Sequence, residues 1–155
     1  MKMLKNKKGI AYIYVCVIVI FIAALLSVII LYMGLTAQVQ IQKRDVQKKL
    51  DGYVAQYATE SFDAIKQGSK FADYIDYTAF AKGVFPALGF SSDTVTVYAY
   101  DNGNCSMTRP EVTTLNGDGF GLTVHYTAIF PITWNGRTYS SLEVPVTVSS
   151  YYKSK

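Results

Sequence analysis

From Ile10 to Leu35 the chain is almost entirely aliphatic or aromatic, and no charged residue occurs between Lys8 and Lys43. Ser27 is the only clearly polar side chain in that stretch. A helix buried in a soluble core shows a polar stripe, and this run has none. At about 1.5 Å of rise per residue, roughly 20 apolar residues cross the hydrocarbon core of a bilayer. The pattern predicts a transmembrane helix over residues 10–36.

Beyond it the pattern changes without a break. Val39, Val46, Leu50, Tyr53, Val54, Tyr57, Ala58, Ser61, Phe62 and Ile65 recur at steps of three and four. Gln42, Arg44, Asp45, Gln47, Lys48, Gln56 and Glu60 fill the intervals as the water-facing set. This is an amphipathic helix over residues 37–68, uninterrupted by proline and continuous with the apolar run. One helix from Ile10 to Lys66, stopping at Gly68, would be roughly 85 Å long. Gly34 and Gly52 are its soft points, each costing about 1 kcal/mol relative to alanine.

Residues 69–92 read as a short helix and linker. The helix is expected from Asp73 to Lys82, with Asp73 as cap, Asp76 at the third position and Gly83 as the stop. Tyr77, Phe80 and Ala81 would form its buried side. From Asp93 the period becomes two, so residues 93–155 form an antiparallel β domain. A strand from Thr94 to Tyr100 leads into the turn Asp101-Asn102-Gly103-Asn104. Residues from about Ser106 to Thr114 return as an edge strand in spite of Pro110.

A last hairpin follows the turn Asn116-Gly117-Asp118-Gly119. Leu122, Val124, Tyr126, Ala128, Phe130, Ile132 and Trp134 share one face of its first strand. Leu142, Val144, Val146 and Val148 share one face of the second. A two-residue Asn135-Gly136 turn would pair Trp134 with Arg137 and set these faces against each other. A three-residue loop with Gly136 left-handed pairs Thr133 with Arg137 instead, and brings Val124 beside Val146 and Tyr126 beside Val144. Face matching favours the latter. The fold class is therefore α+β: a long N-terminal helix, transmembrane in its first half, packed by its second half on a small antiparallel β-sheet.

Charge sets the orientation. Lys2, Lys5, Lys7 and Lys8 crowd the N-terminal flank, which places the N-terminus in the cytoplasm and the C-terminal domain outside. Lys43, Arg44, Lys48 and Lys49 lie further from the span and are offset by Asp45 and Asp51. The formal charge is +4, and the four leader lysines account for all of it. The exported part is neutral, so nothing points to nucleic acid as a partner. Leu35-Thr36-Ala37 is not a signal-peptidase site, and Ile13-Tyr14-Val15 before Cys16 is not a lipidation box. Cys16 lies in the span and Cys105 in the exported domain, so they form no disulfide with each other, and Cys105 reads as a free thiol or as a partner for another chain.

Candidate chemistry is sparse. His125 is the only histidine and alternates out of the apolar strand face. Asp73 and Asp76 are explained by helix-start chemistry. Asp93, Asp101, Asn102, Asn104 and Asp118 are oxygen ligands of the kind calcium takes, but turn geometry accounts for them and their spacing is not that of an EF-hand. No zinc set, Walker, Rossmann or H-E-x-x-H pattern occurs. The chain reads as a non-enzyme with no cofactor or metal. Among its exported tyrosines, Tyr151 and Tyr152 lie beyond the last strand and are candidate contact residues.

Lys5-Asn6-Lys7-Lys8-Gly9, followed by Ile10-Ala11-Tyr12-Ile13-Tyr14-Val15, a long helix and a compact sheet, resembles type IV pilins and pseudopilins. The nearest match is to the TadE-like minor pilins of tight-adherence systems and their conjugation-associated relatives. The resemblance implies cleavage between Gly9 and Ile10 by a prepilin peptidase. It also implies membrane lipid and then other pilin-like subunits as partners of the N-terminal helix, in an extracytoplasmic filament. The family places glutamate at the fifth mature position, occupied here by Tyr14. That departure points to a minor or tip subunit, or to an uncleaved component of the same apparatus. The alternative is an uncleaved bitopic protein whose β domain binds a partner outside the cell.

Overall fold

The computed structural model describes residues 7–65, 75–91, 96–100, 105–117, 119–134 and 136–153. Helix α1 spans Lys7–Ile65, 59 residues, and passes through Gly34 and Gly52 without interruption. The chain divides into two compact units, Met1–Gln38 and Val39–Lys155. In the first, every residue from Ala11 to Gly34 is exposed. All the buried apolar residues described lie in the second. There Val46, Leu50, Val54 and Ala58, four residues apart along α1, form its buried stripe, with Tyr53 and Tyr57 half-buried beside them. Gln42 extends the same stripe and is 3% exposed. It was expected among the water-facing residues, but the i, i+4 spacing from Val46 carries it under the sheet.

Helix α2 spans Tyr77–Leu88, later than the expected Asp73–Lys82. Asp76 is its N-cap and not its third position: the carboxylate accepts from the Thr78 and Ala79 amides at 2.9 and 3.0 Å. Asp73 and Gly68, the other expected boundary residues, lie outside the described residues. Gly83 does not stop the helix. Its missing side chain leaves room for the Tyr53 ring, whose hydroxyl donates to the Phe80 carbonyl at 2.8 Å, and a Cβ there would run into that hydroxyl. The stop is Gly89, left-handed at φ 98°, where the Gly89 and Phe90 amides close the last turn on Pro86 and Phe85. Phe80, Val84 and Leu88 are its buried residues; Tyr77 and Ala81 are only half-buried.

Five antiparallel strands complete the second unit: β1 Val97–Tyr100, β2 Cys105–Thr108, β3 Glu111–Asn116, β4 Gly119–Trp134 and β5 Arg137–Lys153. The expected start of β1 at Thr94 and the turn after it lie outside the described residues. The expected strand from Ser106 to Thr114 is two strands, β2 and β3, divided at Arg109-Pro110. Both pair with the same edge of β4, since β5 occupies the other edge along its whole length. At the break the Thr108 hydroxyl substitutes for a ladder partner by accepting from the Thr127 amide at 2.9 Å.

The β4–β5 hairpin keeps the expected faces and changes the expected register. Trp134, not Thr133 as expected, pairs with Arg137, and Gly136 between them is left-handed at φ 74°. The face correction is made one pair later. Thr133 pairs with Thr138 and Ile132 with Ser140, so Tyr139 bulges out at 68% exposure. Val124 then meets Val148 and Tyr126 meets Val146, two residues along from the expected partners. The preferred turn and the matched faces are both satisfied, at the cost of one bulge.

Phe120, Leu122, Val124, Tyr126, Ala128 and Phe130 of β4, with Val146 and Val148 of β5, line the buried face on which the second half of α1 packs. At one end Tyr57, Phe80 and Phe120 form an aromatic cluster, with centroids 4.5 Å apart for Tyr57–Phe80 and 5.2 Å for Phe80–Phe120. Each fully buried large side chain is worth about 1.5–3 kcal/mol as an upper bound, and this face is the main source of the domain's stability. The other face is polar: Thr123 meets Ser149 at 3.0 Å, and His125 Nδ1 meets the Thr147 hydroxyl at 2.9 Å.

Candidate functional site

The largest chemical feature of the molecule is an uncovered apolar surface. From Tyr12 to Met33 the large side chains Ile, Val, Leu, Phe and Tyr are between 50 and 74% exposed. Moving such a surface out of water is worth on the order of tens of kcal/mol. A helix satisfies its backbone hydrogen bonds internally, which is what a bilayer demands of a spanning segment. Helix α1 is long and apolar enough to cross a membrane. Thr36, where the run turns polar, folds its hydroxyl back on the Tyr32 carbonyl at 2.9 Å and leaves no free donor there.

The residues singled out in the sequence fall at separate places. The Gly9–Ile10 bond lies in the first turns of α1, which begins at Lys7. Tyr14, at the position where the resembling family keeps glutamate, is 66% exposed within the apolar run. Cys16 is exposed on the same segment and Cys105 is buried in β2; neither is in a disulfide. Past the run, Lys43, Arg44 and Lys48 are exposed, and Lys49 pairs with Asp45 at 3.3 Å.

Tyr151 and Tyr152 lie within β5, paired with Gly121 and Phe120, and not beyond the last strand as expected, so they have internal roles as well as exposed surface. Tyr151, 45% exposed, lies across from Gly121, whose place on β4 has no room for a side chain between Ser150 and Tyr151. The ring covers a glycine that would otherwise leave a gap in the sheet. Tyr152, 37% exposed, packs its ring 5.7 Å from that of Phe120. Both remain partly available to a partner.

His125 is exposed, as its place in the strand alternation implied. It borders a shallow groove of about 260 Å³ across the polar face, shared with Thr108, Arg109, Glu111, Thr127 and Thr147. The Arg109 guanidinium stacks 4.6 Å from the Phe85 ring centre. Among the described residues no group of three or more His, Cys, Asp or Glu could hold a metal ion. The turn residues weighed for calcium, Asp93, Asp101, Asn102, Asn104 and Asp118, lie outside the described residues.

One buried feature was missed in the sequence. Gln42 and the Tyr126 hydroxyl are both buried without a hydrogen-bond partner among the described residues. Burial raises the Tyr126 pKa, with Cys105 and Asp45 adding to it. The available signal was the four-residue step from Gln42 to Val46. Comparison with protein-family models, with curated proteins and with solved structures finds no match to this chain.

Proposed function

We propose that this protein is a pilin-like, minor subunit of an extracytoplasmic filament or of a secretion or conjugation apparatus, inserted first in the membrane through α1. The observation that carries the reading is the uncovered apolar surface from Ala11 to Met33 on a helix whose later half is covered by the protein's own sheet. Such a segment leaves lipid only where neighbouring apolar helices replace the lipid, as at the centre of a helical filament. The leader Lys5-Asn6-Lys7-Lys8-Gly9 supplies the site a prepilin peptidase would cut, before Ile10. Tyr14 favours a minor role. A carboxylate in the span costs about 2.5–3.5 kcal/mol, and a chain without one lacks the charge that neutralises a neighbour's new amino terminus.

The test is the intact mass and N-terminal sequence of the protein from its native membrane, with and without the peptidase. A chain beginning at Ile10, lost when the peptidase is absent and recovered with sheared filaments, is expected. A chain beginning at Met1 in both strains, confined to membranes, sinks the filament reading. It leaves a second one, a permanently anchored bitopic protein that binds a partner outside the cell. The open groove beside His125 favours that second reading.

A further inference from the structure

Tyrosines stand at both ends of the apolar run. Tyr14 and Tyr32 are 18 residues apart, five full turns at 3.6 residues per turn, so both leave the same side of α1 about 27 Å apart along its axis. They are 66% and 69% exposed, and Tyr12, 74% exposed, adds a third ring on the opposite side near Tyr14. No residue between them is charged and none is buried. Just before Tyr12 the sequence carries Lys2, Lys5, Lys7 and Lys8, a positive cluster complementary to anionic lipid headgroups. The hydrocarbon core of a bilayer is about 30 Å thick, and tyrosine concentrates at its two boundaries, where the ring is in apolar surroundings and the hydroxyl is hydrated.

We infer that this surface is built for a lipid bilayer in one fixed register, with Tyr12 and Tyr14 at one headgroup layer, Tyr32 at the other and Ala23 at the midplane. The inference rests on the membrane-anchor part of the reading above. It gives Tyr14 a positive role: an interfacial anchor at the place where the resembling family keeps a carboxylate. An anchor set at both boundaries resists axial displacement in either direction, because moving it by one turn pushes a phenol hydroxyl into hydrocarbon at one end and apolar side chains into water at the other.

The test uses the full chain in vesicles of phosphatidylcholine and phosphatidylglycerol. With Trp134→Phe as background, single tryptophans are placed by Tyr14→Trp, Ala23→Trp and Tyr32→Trp, and quenched by lipids brominated near the headgroup or near the chain ends. The shallow bromines should quench Tyr14→Trp and Tyr32→Trp more, and the deep bromines Ala23→Trp more. Deeper quenching at either end than at Ala23→Trp overturns the register and leaves the anchor standing. No quenching at any of the three positions overturns both. The unmodified chain gives an independent arm: Cys16, two residues inside Tyr14, should escape a water-soluble maleimide in vesicles and react after detergent is added. Reaction at Cys16 in intact vesicles overturns the register without any substitution.

Discussion

Gln42 occupies a place in the buried stripe of α1 that an apolar residue would fill without cost. Both of its amide atoms are buried and lack a partner among the described residues. An unpaired buried amide costs about 1–3 kcal/mol by mutational measures, which outweighs the small difference in helix propensity between glutamine and leucine. Gln42→Leu is expected to raise the stability of the folded domain by about 1 kcal/mol, seen as a higher urea midpoint with an unchanged slope. A lower midpoint would mean that the amide has a partner in solution. The tyrosines give a second prediction at this scale. Burial, then the neighbouring Tyr57 and Glu60, push Tyr53 from 10.0 up to about 12, and burial raises Tyr57 and Tyr126 in the same direction. The folded protein therefore holds these phenolic protons more tightly than the unfolded chain. The contribution of Tyr53 is complete below pH 10 and is lost as the pH rises towards 12, and those of Tyr57 and Tyr126 are likewise lost at alkaline pH. The melting temperature should hold up to about pH 10 and fall above it, more gently in Tyr53→Phe. Tyrosinate absorbance should show a late-titrating class, and uniform titration of all the tyrosines near 10.0 with a flat melting profile would refute the assignment.

At the scale of elements, patterns of period four and two were legible, and positions that depend on a partner were not. The apolar run, the single helix through Gly34 and Gly52, and the in-facing residues of β4 all follow from local sequence. The ends of α2 do not. Gly83 looks like a stop until Tyr53, thirty residues earlier, is seen to occupy the space it leaves. The division of β2 from β3 follows Pro110, but only their shared partner β4 shows that they continue one another. Two prolines lie within the hairpin strands. Thr127 turns its amide away from β5, to Thr108, so odd-numbered residues of β4 face that side and Pro131 costs the hairpin no bond. Pro145, opposite Thr127, likewise points its nitrogen to the free edge, where Gln47 of α1 also takes the Ser149 carbonyl at 3.0 Å. Locally, face matching and turn preference demand different registers, and only the bulge at Tyr139 reconciles them. Deleting Tyr139 should leave Thr133–Thr138 and Ile132–Ser140 as consecutive pairs and every inward residue inward. We expect a melting temperature close to that of the parent chain. Deleting Thr147 instead must turn either Val146 or Val148 outward, and should abolish cooperative unfolding. If the Tyr139 deletion were as damaging as the Thr147 deletion, the bulge would be setting the twist of the hairpin and not merely its phase.

For the whole molecule, the division at Gln38 and Val39 separates two kinds of stability. Residues up to Gln38 have no buried apolar side chain among those described, so they are stable as a helix only where lipid or other helices surround them. From Val39 onwards the buried stripe of α1, helix α2 and the sheet's inner face form one core, and among the described residues of this part of α1 the large apolar side chains left exposed are Ile41 and Phe62, far apart along the helix. Isolated exposures of that kind are ordinary on a soluble surface, whereas a continuous run is not. A chain beginning at Val39 is therefore expected to be soluble without detergent and to unfold in a single cooperative transition, while the full chain partitions into membranes and is released only by detergent. The two should share the same hydrogen-exchange protection at Leu122, Val124 and Val148, since the groups that protect those amides all lie in the second unit. The fragment tests the division independently of any filament. If it aggregates, or if its β4 and β5 amides exchange freely, the core needs the apolar segment, and α1 would have to be treated as one structural element whose membrane and domain halves fold together.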